Sequence, residues 1–581
     1  MMIDELDPLK VYFLSPEIQD YLNPSDLLCQ KTLEEFHKSN FTEYLKLHSL
    51  MESAINRREK LEPQIFCLKE KIDPKNFKEL TFSDTEEALL SRLCQVKTLQ
   101  EQTLGKLNED SKTFFAKIKK RRLHHENELL GRSHKEKEEI ALSLAIKAIA
   151  ASLDSQTHYF TPKEAQQFLM QVQQRLFGIG AQLRDDLRGL SVIKIIEGSP
   201  AFRQGQLKVG DTIIAVDDQV ITGMDISEAV ELIKGPEGTK VKLTLINDQD
   251  LKQELELTRG EIVIQETRLE KTVEPFGDGV IAHIHLYSFY QDEKTSSASD
   301  IALALNQIQS QHNLKGVILD LRFNAGGLLS QAVSVSGLFM KPGIVVSVKD
   351  NTGFISHLRT TEKEPLWSGP LIVILNKASA SAAEIVAQTL QDYKRTFIVG
   401  DEHSYGKGTF QTFTLDSSQN TKVNPKGEYK VTRGLYYTVS GKSPQLQGVK
   451  SDIVVHGPLA FSDFGESYSK FPLQPDKIEP NFEDSMHELS LFQKLQLERV
   501  YEHARQTLNH HLDKPLAILK LNAQQRLEQN RSYQNFITEI KSQDHDSDLL
   551  EKNPPADFQL QEALDLMKDW IFINKTAAKA A

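Results

Sequence analysis

The run Leu371-Ile-Val-Ile-Leu375 is short, wholly apolar and β-branched, and soon after it the apolar positions Ala382, Ile385, Val386, Leu390 and Tyr393 fall at helical spacing. Such a run reads as a buried strand, and the change of period marks the turn from strand to helix in an α/β fold. Ser381, inside Ser379-Ala-Ser-Ala-Ala-Glu384, sits at that turn. There the unpaired N–H groups and the positive end of the helix dipole favour a developing anion, so the Ala382 amide is a candidate oxyanion donor. A second donor is expected from Leu319-Asp-Leu-Arg-Phe-Asn-Ala-Gly-Gly-Leu328, which also leaves an apolar strand, Val317 to Leu321. Paired glycines let a backbone approach a ligand closely. The candidate is Gly327, with Gly326 as the alternative.

Downstream lies Tyr405-Gly-Lys-Gly-Thr-Phe-Gln411. Lys407 can act as a base only when neutral, and at its ordinary pKa of about 10.4 only about one lysine in 2,500 is neutral at pH 7. Burial has to supply roughly 4–5 kcal/mol against the ammonium to bring that pKa near 7. If residues 407–411 are extended, Lys407, Thr409 and Gln411 share a face, and Gln411 can orient the amine through a neutral hydrogen bond. A carboxylate in its place would hold the lysine charged.

Taken singly, a serine at a helix start is an N-cap and Gly-Lys-Gly an exposed turn. A phosphate loop from Gly400 to Lys407 is one residue too long, has Gly408 where the magnesium-binding Ser/Thr belongs, and leads into strand-like residues. No Gly-x-Ser-x-Gly elbow accompanies His403, so a Ser–His pair is not expected there. His283 and His285 share a strand face without a third ligand, which makes a metal site the weaker reading.

Together the three segments resemble the carboxy-terminal-processing, or tail-specific, protease family: an Asp-Leu-Arg-x-Asn-x-Gly-Gly turn, a Ser-Ala-Ser-Ala-x-Glu turn and a Gly-Lys-Gly-x-x-Gln strand, in family order. The resemblance implies Ser381 as nucleophile, Lys407 as general base and Gln411 as the residue that orients it. It also implies an oxyanion hole from the Gly327 and Ala382 amides, a crotonase-like (spiral) core, and no metal or cofactor. Ser381 and Lys407 are 26 residues apart, one more than in many members. The extra residue falls in the loop Asp401-Glu-His-Ser404, which can absorb it. Ala383 stands where many relatives carry serine.

A length of 581 residues allows about three to five domains. The net charge of −12 argues against a nucleic-acid partner. The basic cluster Lys119-Lys-Arg-Arg122 reads as a solvated helical face, and no apolar stretch approaches the roughly 18–20 residues of a transmembrane helix. Cys29, Cys67 and Cys94 form no disulfide framework, though one bridge remains open. Met1-Met-Ile-Asp-Glu-Leu-Asp7 is acidic and lacks the apolar core of a secretory signal. The resemblance implies an exported enzyme of the periplasm or cell envelope, so the chain is expected to start late, by truncation or a misplaced start.

Four regions are expected. Residues 1–175 form a helical domain, with heptad-like apolar spacing from about residue 15 to 175. Residues 176–262, with Phe177-Gly-Ile-Gly-Ala181, Gly198-Ser-Pro-Ala201 and Val209-Gly-Asp211, resemble a PDZ domain. In it the amides of Gly178, Ile179, Gly180 and Ala181 would take a terminal carboxylate while a strand edge pairs with the peptide. Residues 263–456 are the α/β protease core. Residues 457–581 are helical, with a linker at Asp544–Pro555. A hinge at 174–178 would let the PDZ domain displace Lys407. The expected function is a Ser/Lys endopeptidase that recognises apolar C-terminal tails and cuts upstream, with an adaptor or self-association as further partners. The competing reading is a catalytically silent, PDZ-containing peptide-binding or chaperone-like scaffold.

Overall fold

The computed structural model describes residues 1–580 except 67, 69, 74–76, 78–79, 105–110, 132, 173–175, 187–188, 197, 222–225, 248–250, 263–267, 293–294, 415–422, 503 and 543–555. The expected linker, part of the expected hinge and Cys67 therefore lie outside the described residues. Cys29 and Cys94 are free thiols. The chain forms two compact units: Met1–Leu153 with His158–Thr161 and Gly223–Ala229, and Asp154–Thr157 with Pro162–Thr222 and Val230–Ala581.

The first unit is helical. Along Thr42–Leu61, the residues Leu47, Met51, Ala54 and Ile55 recur at the spacing of one helix face and are buried with Leu89, Leu93, Leu129 and Ala145 from later helices. The carboxylate of Asp7 accepts the Val11, Tyr12 and Phe13 amides at 2.8–2.9 Å and folds the first segment onto itself.

In the second unit, antiparallel strands Ala181–Asp186, Gly189–Ile195, Thr212–Val216, Lys240–Ile246 and Lys252–Thr258 follow one another across a sheet. Ala181–Asp186 and Lys252–Thr258 are its two end strands among the described residues. Leu176–Gly178, the described part of the expected hinge, pairs with Gly260–Ile262.

The larger part of this unit is built on a sheet of β1 (Leu269–Phe276), β2 (Gly279–Leu286), β3 (Leu314–Asp320), β6 (Leu371–Leu375), β7 (Phe397–Gly400) and β10 (Ile453–Val454), in that spatial order. β1 and β2 are an antiparallel hairpin; every later pairing is parallel. A second, antiparallel sheet joins β5 (Ile355–Thr360), β4 (Gly343–Asp350), β9 (Glu428–Tyr437) and β8 (Thr409–Phe413). The helices α1 (Ser297–Gln311), α2 (Leu329–Gly337) and α3 (Ala382–Asp392) complete the core.

Parallel strands buried on both faces show no polar alternation, and β3 and β6 illustrate why. Val317, Leu319, Val373 and Leu375 face α2 and α3, whereas Ile318, Ile372 and Ile374 face the other way. That second face is covered by Leu519 and Ala523 of α4 (Asp513–Gln529), Phe536 of α5 (Arg531–Ser542), and Leu566, Met567 and Trp570 of α6 (Phe558–Ala580). The C-terminal helices and the sheet share one core. Among the described residues no helix is long and apolar enough to cross a membrane.

Candidate active site

β3 and β6 are neighbours, so the turns leaving their C-terminal ends lie side by side, where open α/β sheets place their ligands. Side chains and backbone stitch the two turns together. Ser379 Oγ donates to Leu321 O at 2.8 Å, the Phe323 amide to Asn376 Oδ1 at 3.0 Å, and the Ala380 amide to Asn324 O at 2.9 Å.

Ser381 ends the second turn with φ 57° and ψ −116°, a conformation that L-residues rarely adopt. Its own amide donates to Glu384 Oε2 at 2.8 Å, and its side chain is half-buried. Gly326 faces it with φ 98°, and Gly327 follows with φ 145° against Phe289. A Cβ on Gly326 would stand 2.6 Å from the Ser381 Cβ, and one on Gly327 would stand 2.1 Å from Phe289 O. Only glycine fits this approach. The Gly326 amide is already taken by Asn324 Oδ1 at 2.9 Å. The Gly327 and Ala382 amides donate to no acceptor among the described residues.

Lys407 arrives from the far side, where both flanking glycines are buried, so Gly-Lys-Gly is no exposed turn. The Gly408 amide donates to Gln445 Oε1 at 2.7 Å, and a Cβ there would collide with Ser443 and Gln445. Lys407 Nζ donates to Gln411 Oε1 at 2.8 Å. A register shift between Phe410 and Gln411 interrupts plain alternation, so this contact is made across a bulge rather than along a flat strand face. Burial, and after it the ammonium of Lys430, pushes the Lys407 amine down to about 8, while Glu466, Glu384 and Asp154 pull the other way.

Glu384 joins the two halves. Fully buried on α3, its carboxylate accepts the Ser381 and Lys407 amides on Oε2 (2.8 and 2.9 Å) and the Ser404 hydroxyl and Gly406 amide on Oε1 (2.6 and 2.7 Å). Burial pushes this carboxyl up to about 7, against the four hydrogen bonds. The Tyr436 hydroxyl reaches the carbonyl oxygens of both Ser381 and Lys407. Sequence reasoning gave neither Glu384 nor Tyr436 a role; the glutamate's fixed place three residues after Ser381 was the available signal.

His283 and His285 are spent within the sheet, His283 Nε2 on Asp320 (3.1 Å) and His285 Nε2 on Arg322 O (3.1 Å). No metal-holding cluster occurs among the described residues. His403 Nδ1 pairs with Ser404 O. Burial would raise the Asp320 carboxyl, but the Arg322 guanidinium and His283 hold it well below the usual range. Arg322 also grips Asp557 at 2.6 and 2.8 Å, just before α6, and Gln559 reaches Asp401 and Val455 O. Both site loops therefore rest on the start of α6. Asp557→Ala should cost about 1–2 kcal/mol, the value of a partly exposed charge-assisted fork, and slow any reaction that depends on the Gly327 turn. A melting curve alongside a turnover assay checks this, and an unchanged pair of values would remove α6 from the support of the site.

Of the residues expected to take a terminal carboxylate, Gly178 ends the strand Leu176–Gly178, Ile179 and Gly180 form the link, and Ala181 opens the edge strand Ala181–Asp186. The Ala201 amide donates to Ile179 O at 2.8 Å and the Ile196 amide to Gly180 O at 2.9 Å.

Comparison with known proteins gives three family matches: a tail-specific protease N-terminal domain over residues 1–163, a PDZ domain over 166–246 and peptidase family S41 over 280–455. The chain is 32% identical to a tail-specific protease of Haemophilus influenzae over 63% of its own length and 52% of the relative. It is 35% identical to a carboxy-terminal-processing protease of Bartonella bacilliformis over 54% of this chain and 69% of the relative. A carboxy-terminal processing protease of Bacillus subtilis is 31% identical over 56% of this chain and 66% of its own. The match thus spans about half the length of the Haemophilus relative.

Proposed function

The chain belongs to the carboxy-terminal-processing proteases of peptidase family S41, with a PDZ domain ahead of the protease core, and from that premise we propose that it is a Ser/Lys endopeptidase acting on proteins with apolar C-terminal tails. The observation that carries the reading is Glu384, whose one carboxylate accepts the backbone amides of both Ser381 and Lys407. It ties the backbone of the strained Ser381 turn to the backbone that carries Lys407, whose amine is pushed down to about 8.

In this reading Lys407 Nζ takes the Ser381 proton as Oγ attacks the scissile carbonyl. The Gly327 and Ala382 amides receive the oxyanion, and the lysine returns the proton to the leaving amine. The occupied Gly326 amide favours Gly327 for that task. Lysine here needs no histidine, because about one amine in ten is neutral at pH 7 when the pKa is about 8. Gln411 holds the amine without a charge that would keep it protonated. The core is read as crotonase-like, and the four regions as the division of labour among helical domain, PDZ domain, protease and helical extension. In this reading an added peptide strand pairs with the edge strand Ala181–Asp186, with the amides of residues 178–181 at its carboxylate end. A place in the cell envelope goes with this reading and is checked by fractionating cells that express the chain.

The test is an unfolded reporter polypeptide ending in three apolar residues, offered with its C-terminus free or amidated. Cleavage of the free form, weakened by amidation, supports the reading; equal cleavage of both removes the tail recognition, and no cleavage of either leaves a silent scaffold. Because the base is the neutral amine, kcat/KM should rise about tenfold from pH 7 to about 8 and level off above it. A profile flat from pH 6 to 9 would exclude Lys407 as the base.

A further inference from the structure

Gln411 is useful to a lysine base only in one of its two orientations. A neutral amine has a single lone pair, and it must be left for the Ser381 proton. An amide that presents Oε1 accepts one N–H from Nζ and leaves the lone pair alone, whereas an amide that presents Nε2 donates into it. Something must therefore fix which end of Gln411 faces Lys407.

We propose that Asp154 and Thr432 are positioning residues for catalysis, which lock the Gln411 side chain with its oxygen toward Lys407. The chain of donors runs one way. Asp154 is buried, and its carboxylate accepts the Gln156 and Thr157 amides on Oδ1 (2.8 and 3.0 Å) and the Thr157 hydroxyl on Oδ2 (2.6 Å). The Thr432 hydroxyl donates to Asp154 Oδ1 at 2.9 Å. A carboxylate only accepts, so the single hydroxyl proton of Thr432 goes to Asp154 and its lone pairs face Gln411 Nε2, 3.3 Å away. Nε2 is also bound to Thr409 Oγ1 at 2.8 Å. With both amide protons used, Oε1 is left to face Lys407 at 2.8 Å.

The parts of this relay come from distant places in the chain. Thr432 lies opposite Gln411 in the β8–β9 ladder, and Asp154 belongs to a short segment ahead of the PDZ domain. The Thr432 amide closes the contact by donating to Thr157 Oγ1 at 3.1 Å. The next two residues of the segment, Ser155 and Gln156, donate to the carboxylate of Glu466. The charged groups that face Lys407 are thus Lys430 from β9, Glu466, Glu384 from α3 and Asp154. An Asp in such a turn also caps local amides, and a purely structural role would end there.

The inference rests on the Ser/Lys reading, and the experiment separates the two. The full chain and its variants are assayed with the unfolded reporter polypeptide, with melting temperatures recorded for each. Thr432→Val should lower kcat about tenfold with KM unchanged, since it removes a bond that orients the base while touching no substrate contact. Thr432→Ser should restore kcat to within about twofold, because it returns the same lone pairs. In a Gln411→Ala background, Thr432→Val should have no further effect on kcat. If Thr432→Val melts early, Asp154→Ala is put through the same cycle. Wild-type kcat in these variants, or the same loss with and without Gln411, overturns the positioning role. An inert wild type, or an active Ser381→Ala, overturns the Ser/Lys reading instead.

Discussion

Replacing Lys407 by methionine is expected to abolish cleavage and to make the folded chain more stable. The loss follows from the base: positioned proton transfer contributes roughly 10²–10⁴-fold, and methionine has no lone pair basic enough to replace the amine. Ser381→Ala should lose as much, because nucleophile and base act as one unit. The gain in stability comes from the same burial that makes the lysine useful. Its amine is pushed from 10.5 down to about 8 in the folded chain, so at pH 7 the ammonium is less well solvated folded than unfolded. A similar-sized apolar side chain removes that cost, for roughly 1–3 kcal/mol. The sign with pH is fixed. The cost is present in full below about 8 and is relieved as pH rises from 8 toward 10.5, where the lysine is neutral in both states. Calorimetry should show Lys407→Met melting above the wild type at pH 7, with the difference shrinking by pH 10. A variant that melts lower at pH 7, or still cuts the reporter, would mean that Lys407 is neither desolvated nor the base.

How much of this was readable in the letters depended on range. The strands Val317–Leu321 and Leu371–Leu375 were legible because burial on both faces leaves an unbroken apolar run, and the Ser381 turn because the period changes behind it. The paired glycines at 326 and 327 were legible as a close approach, though not which amide is free, since that is decided by Asn324. The pairing of Lys407 with Gln411 was readable as an expectation, but through a flat strand, whereas the ladder carries a bulge. What no local pattern could show is who stands behind these residues. Arg322 meets Asp557, 235 positions later, and Thr432 meets Asp154, 278 positions earlier. Such contacts are set by the stacking of elements and not by any period in the chain. The C-terminal helices likewise read as a separate amphipathic region, because a helix face does not say which sheet it covers.

Glu384 is the residue whose loss should reach furthest. Four donors converge on it, three of them backbone amides that cannot turn elsewhere. Glu384→Ala leaves them unpaired where the carboxylate was fully buried, at about 1–3 kcal/mol each before relaxation, so the variant is expected to fold poorly or not at all. Glu384→Gln is the sharper test, because it keeps the shape. An amide has one accepting oxygen and one NH2, and whichever way it turns, the NH2 meets a pair of donors. If it faces Ser381 and Lys407, the two halves of the site lose their common anchor; if it faces Ser404 and Gly406, the loop that delivers Lys407 loses its own. Cleavage should fall by about 10²-fold with partial loss of stability, as for a broken buried network. The same logic gives a pH signature. Since burial pushes this carboxyl up to about 7, lowering the pH protonates it just below the range where Lys407 takes up its own proton. Log kcat/KM should therefore fall with a slope of about one between pH 8 and 7, and steepen toward two below it. Glu384→Gln should keep only the first slope. A wild-type profile that stays at slope one down to pH 5, together with an active Gln variant, would show that the carboxylate is a bystander and that the serine and lysine are held together by the fold around them.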